Sequence, residues 1–422
     1  RMPNPNLKLL GLTYLMSMNA DIGCQRKYGL TGTEIYPVGL QGVQELNDAI
    51  LHVTEPSRRN ATWASVPNGV RKKSDLLIAF LEEDPDAVIG LVGLFSDEDL
   101  SPEELSATFE SRTSNVLAAL DIRCRSARDI YVRVFALSEI DKGRKQVVFS
   151  DRYTRDSLDA GRRRWVEGAA NLPSIRLPFP TGRGKRAEWR GTICPSPARA
   201  MRSFKRQWNR MGTGFSEVPG VDLGLIYELY LAPEPAKPAR WLMERFIPQV
   251  EVLLLAAGSC LTLAAALKEN PKEEALVSAA MLGILLLAQG RRKEEYMESR
   301  EFLIGRFLQL ADQLHKAYCM DQRGGSIPPQ LIGNAAMTMA MERPSRALEM
   351  LASRMAVYLA WSDRYGGDKA GLVHWFRREL GDVSLKLREQ DLSQRISANG
   401  RAEVLLGYLA SSVKSEGEQA SE

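Results

Sequence analysis

The sequence predicts an α+β protein: a mixed α/β N-terminal domain containing an antiparallel hairpin, followed by an all-α helical bundle. Three observations carry this. Residues 130–137 (IYVRVFAL) are rich in β-branched and aromatic side chains, Asp141–Lys142–Gly143–Arg144 offers a turn, and Gln146–Phe149 returns. Residues 231–240 (LAPEPAKPAR) hold three prolines within six residues, which reads as a stiff, extended connector. Beyond it, Trp241–Ser411 is rich in Ala, Leu and Met and almost free of strand signals. At 422 residues and 44% apolar, the chain is long enough for two cores and too apolar for global disorder. The expected divisions are 1–230, a mixed nucleic-acid-binding domain; 231–240, the linker; 241–413, the bundle; and 414–422, a polar disordered tail.

The elements follow in order. Val43–Val53 suits a short amphipathic helix, and Leu76–Leu81 is a compact apolar run that fits strand or helix. Ser101–Pro102–Glu103–Glu104 has the capping residue, first-turn proline and capping-box acid of a helix start, running to about Leu120. After the hairpin, a helix is expected from near Thr154 to about Gly168. Pro173, Pro178, Pro180, Gly182 and Gly184 then interrupt regular structure, and Pro197–Met211 can be helical. In the bundle, Leu303, Phe307, Leu310, Leu314 and Ala317 form one apolar stripe, and Leu348, Leu351, Met355 and Tyr358 another. Pro328–Pro329, Pro344 and Gly366–Gly367 punctuate roughly six to eight helices.

Charge is distributed unevenly. Gly161–Arg210 holds 13 Lys and Arg against Glu167 and Glu188, a local net charge of +11. The whole chain is only +4, so the remainder is mildly acidic. Such density is relieved by a polyanion, and Trp165, Trp189 and Trp208 lie among the bases, where flat rings suit stacking on nucleobases. The candidate nucleic-acid-binding residues are Arg162, Arg163, Arg164, Arg183, Lys185, Arg186, Arg190, Arg199, Arg202, Lys205, Arg206, Arg210 and Trp208. On a helix through 197–211, Arg199, Arg202 and Arg206 share a face that could follow a phosphate backbone. A second cluster, Arg58, Arg59, Asn60, Asn68, Arg71, Lys72 and Lys73, mixes phosphate-seeking bases with amides able to read base edges. The bland alternative is a solvated surface pairing with the protein's own acidic loops for the first cluster, and a polar surface loop for the second.

No catalytic residue is assigned and no cofactor is expected. The carboxylates of 82–99 (Glu82, Glu83, Asp84, Asp86, Asp97, Glu98, Asp99) could hold Mg²⁺ for phosphodiester cleavage, which keeps a metal-dependent nuclease as one alternative. A structural protein-interaction scaffold is the other. His52, His315 and His374 have no metal-ligand spacing, and neither GxxxxGK[ST] nor GxSxG occurs. Five scattered cysteines without CxxC read as reduced thiols, and Val252–Leu267, 16 residues without a charge, falls short of a membrane span. No membrane association is expected.

The order of segments resembles the large subunit of type I CRISPR–Cas surveillance complexes (Cascade), nearest the type I-C form. The similar stretches are 131–165 (YVRVFALSEIDKGRKQVVFSDRYTRDSLDAGRRRW), 194–208 (CPSPARAMRSFKRQW), 300–318 (REFLIGRFLQLADQLHKAY), 343–361 (RPSRALEMLASRMAVYLAW) and 402–410 (AEVLLGYLA). The resemblance implies a cytoplasmic, prokaryotic, non-enzymatic subunit that reads the protospacer-adjacent motif in duplex DNA and helps to open it. It implies partners as well: CRISPR RNA, target DNA, the Cascade backbone and small subunits, and a recruited helicase-nuclease. The C-terminal bundle would resemble the small subunit and line the displaced strand. Met243 would be the position at which an internal start could yield a separate small subunit.

Overall fold

The protein is described by a computed structural model, which covers residues 6–7, 10–12, 27, 29, 38–67, 74–97, 108–124, 130–141, 144–179, 187–209, 214–218, 220–259 and 269–411. It is α+β. The chain divides into two compact units: unit one is 1–163, 196–205 and 217–233, and unit two is 164–195, 206–216 and 234–422. The chain therefore passes between the units at five points: 163/164, 195/196, 205/206, 216/217 and 233/234.

Unit one is built on a four-stranded antiparallel meander of β1 (Trp63–Pro67), β2 (Ser74–Leu81), β3 (Tyr131–Asp141) and β4 (Arg144–Thr154). The apolar run 76–81 is thus a strand. It lies inside the sheet, so both its faces are covered and its burial is nearly continuous rather than alternating. The hairpin β3–β4 is longer than its core motifs, with Val134 opposite Asp151 and Ala136 opposite Phe149. Register sorts the side chains. Leu76 and Ile78 join Trp63, Val53 and Leu10 in a core on one face, with Phe135 and Leu137 against it. On the other face lie Leu77, Ala79, Val132, Val134 and Ala136.

Helix α1 (Leu40–Val53) precedes the sheet and α2 (Phe109–Cys124) follows β2. The capping box at 101–104 lies outside the described residues. α3 (Arg155–Ala170) follows β4 directly. α4 is Pro197–Phe204, started by the Ser196 side chain, which accepts the Arg199 N–H at 3.1 Å, and by Pro197 in the first turn. α5 (Leu223–Leu231) covers the second sheet face: Tyr227 meets Phe149 and Phe95 edge-on at 5.4 and 5.3 Å between centroids. Gly224 permits that approach, since a Cβ there would stand 2.2 Å from the Val148 carbonyl oxygen.

The helix expected over 197–211 is corrected. It ends at Phe204, the Lys205 carbonyl accepts the Val218 N–H at 3.0 Å, and Arg206–Trp208 is strand β7, paired with β8 (Phe215–Glu217). Tertiary pairing overrides a helical sequence pattern here. The proline-rich stretch is also corrected. Only 232–235 separate α5 from α6 (Ala236–Gly258), whose first turn takes in Pro238, a position that has no intrahelical N–H partner to lose.

Unit two is helical. It comprises α6, α7 (Glu269–Ala288), the single turn α8 (Lys293–Tyr296), α9 (Arg300–Gln322), α10 (Ile332–Glu342), α11 (Pro344–Arg364), α12 (Ala370–Arg388) and α13 (Ala398–Leu409), with the ribbon β5 (Arg176–Phe179) and β6 (Glu188–Gly191). The stripe on α9 is buried as expected: Leu303, Phe307, Leu310 and Leu314 face the core. Two glycines seat α9 on α13. A Cβ on Gly305 would lie 2.0 Å from the Val404 carbonyl oxygen, and one on Gly407 would lie 2.2 Å from that of Phe302. The backbones meet directly.

Two buried polar groups bind the segments together. Asp312 on α9 accepts N–H bonds from Gly333 at 2.6 Å and Asn334 at 3.0 Å, capping α10 from a neighbouring helix. Asn171 donates to the carbonyls of Arg291 at 2.9 Å and Gly283 at 3.3 Å, accepts the Lys293 N–H at 2.7 Å, and its own carbonyl takes the Tyr296 hydroxyl at 2.7 Å. Asn171 thereby joins the end of α3 to the bundle's own hydrogen bonding. Among the described residues no helix is long and apolar enough to cross a membrane.

Candidate nucleic-acid interface

In unit one, the bases at the start of α3 surround one carboxylate. Asp159 is 4% exposed and accepts from Arg162 at 3.0 and 3.1 Å, from Arg163 at 2.5 Å and from Arg155 at 3.2 Å. Arg155 also forks across Asp121 at 2.7 and 2.9 Å, the bidentate geometry guanidinium favours. Burial pushes the Asp159 carboxyl up, but the Arg162 and Arg163 hydrogen bonds outweigh it and hold the group below the usual carboxylate range. Arg162 is thus a structural cation, mostly covered. Arg163 keeps 71% of its side chain exposed and can still meet an external anion.

The shared face expected for Arg199, Arg202 and Arg206 does not form, because Arg206 lies on β7 and not on α4. Arg199, Arg202 and Lys205 are each half-buried. Burial lowers the Lys205 ammonium below its ordinary range, against the pull of Asp75, Asp222 and Glu217. It is placed to balance the buried Asp75, which also accepts the Ser138 hydroxyl at 2.6 Å.

The candidate motif reader is likewise tied inward where it is described. Arg58 pairs with Asp86 and donates to the Pro85 carbonyl at 2.7 Å, and His52 meets the same carboxylate at 2.8 Å. Hydrogen bonds from Arg58 and then His52 hold Asp86 below the usual range. Arg59 lies over the Trp63 ring at 5.7 Å. Asn60 takes the left-handed conformation at φ 64° and gives its N–H to the Trp63 carbonyl at 2.8 Å, closing the turn into β1. Asn68, Arg71, Lys72 and Lys73 lie outside the described residues.

The acidic stretch is occupied in the same manner. Glu82 pairs with Arg133, Asp84 with Arg123 at 3.5 Å, and Asp97 takes the Ser196 hydroxyl at 2.6 Å. Among the described residues, no three His, Cys, Asp or Glu side chains come together as a metal-binding group. Glu98 and Asp99 lie outside them.

In unit two, the rings of the basic segment separate into two kinds. Trp165 is 2% exposed and gives its indole N–H to the Pro195 carbonyl at 2.8 Å. Trp208 is 7% exposed and packs edge-on to Phe215 at 4.7 Å, with Arg206 5.8 Å above that Phe ring. Both are core residues, so Trp208 buttresses its ribbon instead of offering a stacking face. Trp189 is 61% exposed. It sits on β6 opposite Pro178, two positions along the ribbon from the pairing of exposed Arg176 with Gly191. Alternation places Arg176, Pro178, Trp189 and Gly191 on the outer face, and Leu177, Phe179, Glu188 and Arg190 on the inner one. There Arg190 pairs with Glu188 at 3.0 Å and covers the Phe179 ring at 4.6 Å. Arg164, half-buried, continues α3. Arg183, Lys185, Arg186 and Arg210 lie outside the described residues.

The nine described candidates are thus spread over α3, β6, α4 with the residue after it, and β7, and do not form one face. The structure brings Arg162 and Arg163 together around Asp159, and within the basic segment the ribbon carries an accessible face with Trp189 and Arg176. Sequence reasoning missed Asp159 as an organising anion. The signal was present in the spacings to Arg155, Arg162 and Arg163, four before and three and four after. No protein-family profile and no curated protein matches this chain.

Proposed function

We propose that this chain is a non-enzymatic, DNA-binding large subunit of a type I-C-like CRISPR Cascade ribonucleoprotein in a prokaryotic cytoplasm. In that role it recognises a protospacer-adjacent motif in the target duplex, supports opening and holds displaced strand. Its partners are CRISPR RNA, target DNA, the other Cascade subunits and a recruited helicase-nuclease.

The observation that carries the reading is the outer face of the β5–β6 ribbon. Exposed Trp189 and exposed Arg176 lie on one face at diagonal positions of a hairpin whose connecting segment 180–186 contains Arg183, Lys185 and Arg186 and no acid. Two-stranded ribbons enter grooves, and arginine beside an aromatic ring suits both phosphate and base. The resemblance supports the reading because its five stretches fall on regular elements: the β3–β4 hairpin with most of α3, then α4 with β7, and much of α9, α11 and α13. The pairing of Glu82, Asp84 and Asp86 with Arg133, Arg123 and Arg58 weighs against the nuclease reading.

The test is binding of duplex and single-stranded DNA across a salt series. Arg176→Glu and Trp189→Ala, alone and with Arg183, Lys185 and Arg186 reversed to Glu, are expected to weaken binding. They should flatten the salt dependence by nearly one unit of slope for each phosphate no longer neutralised, about 0.9 for duplex. Unchanged affinity and slope would refute the assignment. Sequencing of RNA co-purified from a host carrying a repeat array checks the class: a uniform repeat-derived RNA is expected.

A further inference from the structure

Unit two carries a second aromatic surface that owes nothing to the basic segment. His315 and Tyr318 on α9 meet Tyr358 and Trp361 on α11, and Tyr365 follows that helix. The rings run in series: His315 stacks on Tyr358 at 4.6 Å, Tyr318 stands edge-on to Tyr358 at 5.1 Å and to Trp361 at 5.6 Å, and Trp361 meets Tyr365 at 4.8 Å. The series opens into a surface cleft of about 490 Å³, lined by Asp321, Gln322, Trp361, Arg364, Tyr365 and Gly367 among others.

The polar groups around this cleft are partly uncommitted. Asp321 Oδ2 accepts the Trp361 indole N–H at 2.9 Å and the Gln322 amide at 2.7 Å. Its Oδ1 and the Gln322 side-chain oxygen have no donor among the described residues, and the Arg364 guanidinium has no acceptor there. The Gly367 turn packs against the phenol: a Cβ on it would stand 2.6 Å from the Tyr365 hydroxyl. The indole is pinned by its hydrogen bond, the phenol by the turn. A flat ligand with adjacent N–H donors and a nearby negative charge would use every one of these groups.

We propose that this cleft is a nucleobase site: one unpaired base, guanine by preference, stacks on the Trp361–Tyr365 wall, with its N1–H and N2–H edge toward Asp321 and Gln322 and its phosphate against Arg364. Guanine is the base that offers two neighbouring donors to two open acceptors. The inference rests on the reading of this chain as a binder of opened DNA, and it names the group of the single strand that is held.

The test compares fluorescein-labelled oligothymidylate with the same oligonucleotide carrying one central guanosine, on the full chain. Wild type should prefer the guanosine probe severalfold. Trp361→Ala should weaken both probes about tenfold, the scale of removing one base–aromatic stack. Asp321→Asn should erase the preference, and Arg364→Glu should lower the single-strand salt slope by about 0.7. Duplex affinity should stay unchanged in all three. If Trp361→Ala melts early by circular dichroism, the surface variants Asp321→Asn and Arg364→Glu carry the test. Wild-type binding of both probes by those variants overturns the inference, as does tight binding of dGMP without binding of the oligonucleotide. Normal oligonucleotide binding with lost assembly onto partner subunits overturns it too, by making the cleft a protein-docking site. Loss of duplex binding in the ribbon variants alone removes this inference and leaves the proposed function standing. Normal binding by ribbon and cleft variants alike removes both.

Discussion

The Tyr408 hydroxyl donates to Asp312 Oδ2 at 2.6 Å, so α13 is held to α9 at the point where Asp312 also caps α10. The carboxyl sits in the packed interior with three protein donors. Burial pushes it up to about 7, against the opposing pull of those three hydrogen bonds.

In the folded chain Asp312 keeps its proton up to about pH 7, whereas the unfolded chain releases it near the ordinary 3.8. The folded state binds the extra proton between those values, so this group's contribution to stability falls as pH rises across that window. The difference in stability between wild type and Asp312→Asn is expected to change by about 2–4 kcal/mol from pH 4 to pH 7.5. Urea unfolding of both proteins at the two pH values measures it; parallel curves would contradict it.

Glycine substitutions should divide by what the added methyl meets. Gly305→Ala and Gly407→Ala drive a methyl into opposing backbone, which cannot swing aside, and each is expected to destabilise by about 3 kcal/mol or more. Their effects should be less than additive, because either one separates the same crossing. Gly381 on α12 has nothing within 4 Å of a would-be Cβ, so Gly381→Ala should stabilise by about 0.5–1 kcal/mol. Thermal melts of the four proteins check both signs.

The Asp159 hub makes a different prediction for the basic segment. Arg162→Glu places a second acid beside a buried one, so it should lower stability by about 1–3 kcal/mol while leaving the salt slope of DNA binding unchanged. Arg163→Glu removes another donor to the same carboxylate and should also lower stability, but at its exposed position it should flatten the salt slope as well. A salt slope altered equally by both would contradict the division.

Much of this fold was legible in the sequence, for physical reasons. The stripe Leu303, Phe307, Leu310 and Leu314 repeats at helical spacing because one face meets a core, and the hairpin declared itself through β-branched residues around a turn. What was not legible depended on long-range neighbours. The bases of 197–211 look helical, yet pairing with 215–217 pulls 206–208 into a strand. Trp165, Trp189 and Trp208 share one composition, but whether a ring is core or surface is decided by what covers it: Pro195, nothing or Phe215. The cleft on α9 and α11 had a signal in Tyr358, Trp361 and Tyr365 at spacings of three and four. That spacing is shared by ordinary apolar stripes, and only the placement of Tyr318 beside it sets the rings apart.

Asn171 sets a structural condition on the bundle as a separate piece. A shorter polypeptide initiated at Met243 would lack the asparagine whose amide and carbonyl join Gly283, Arg291, Lys293 and Tyr296. It would lack Gly168 too, against which Gly283 and Ile284 fit. Such a piece would carry an open seam along α7, where polar groups that Asn171 now satisfies would have to be met by water.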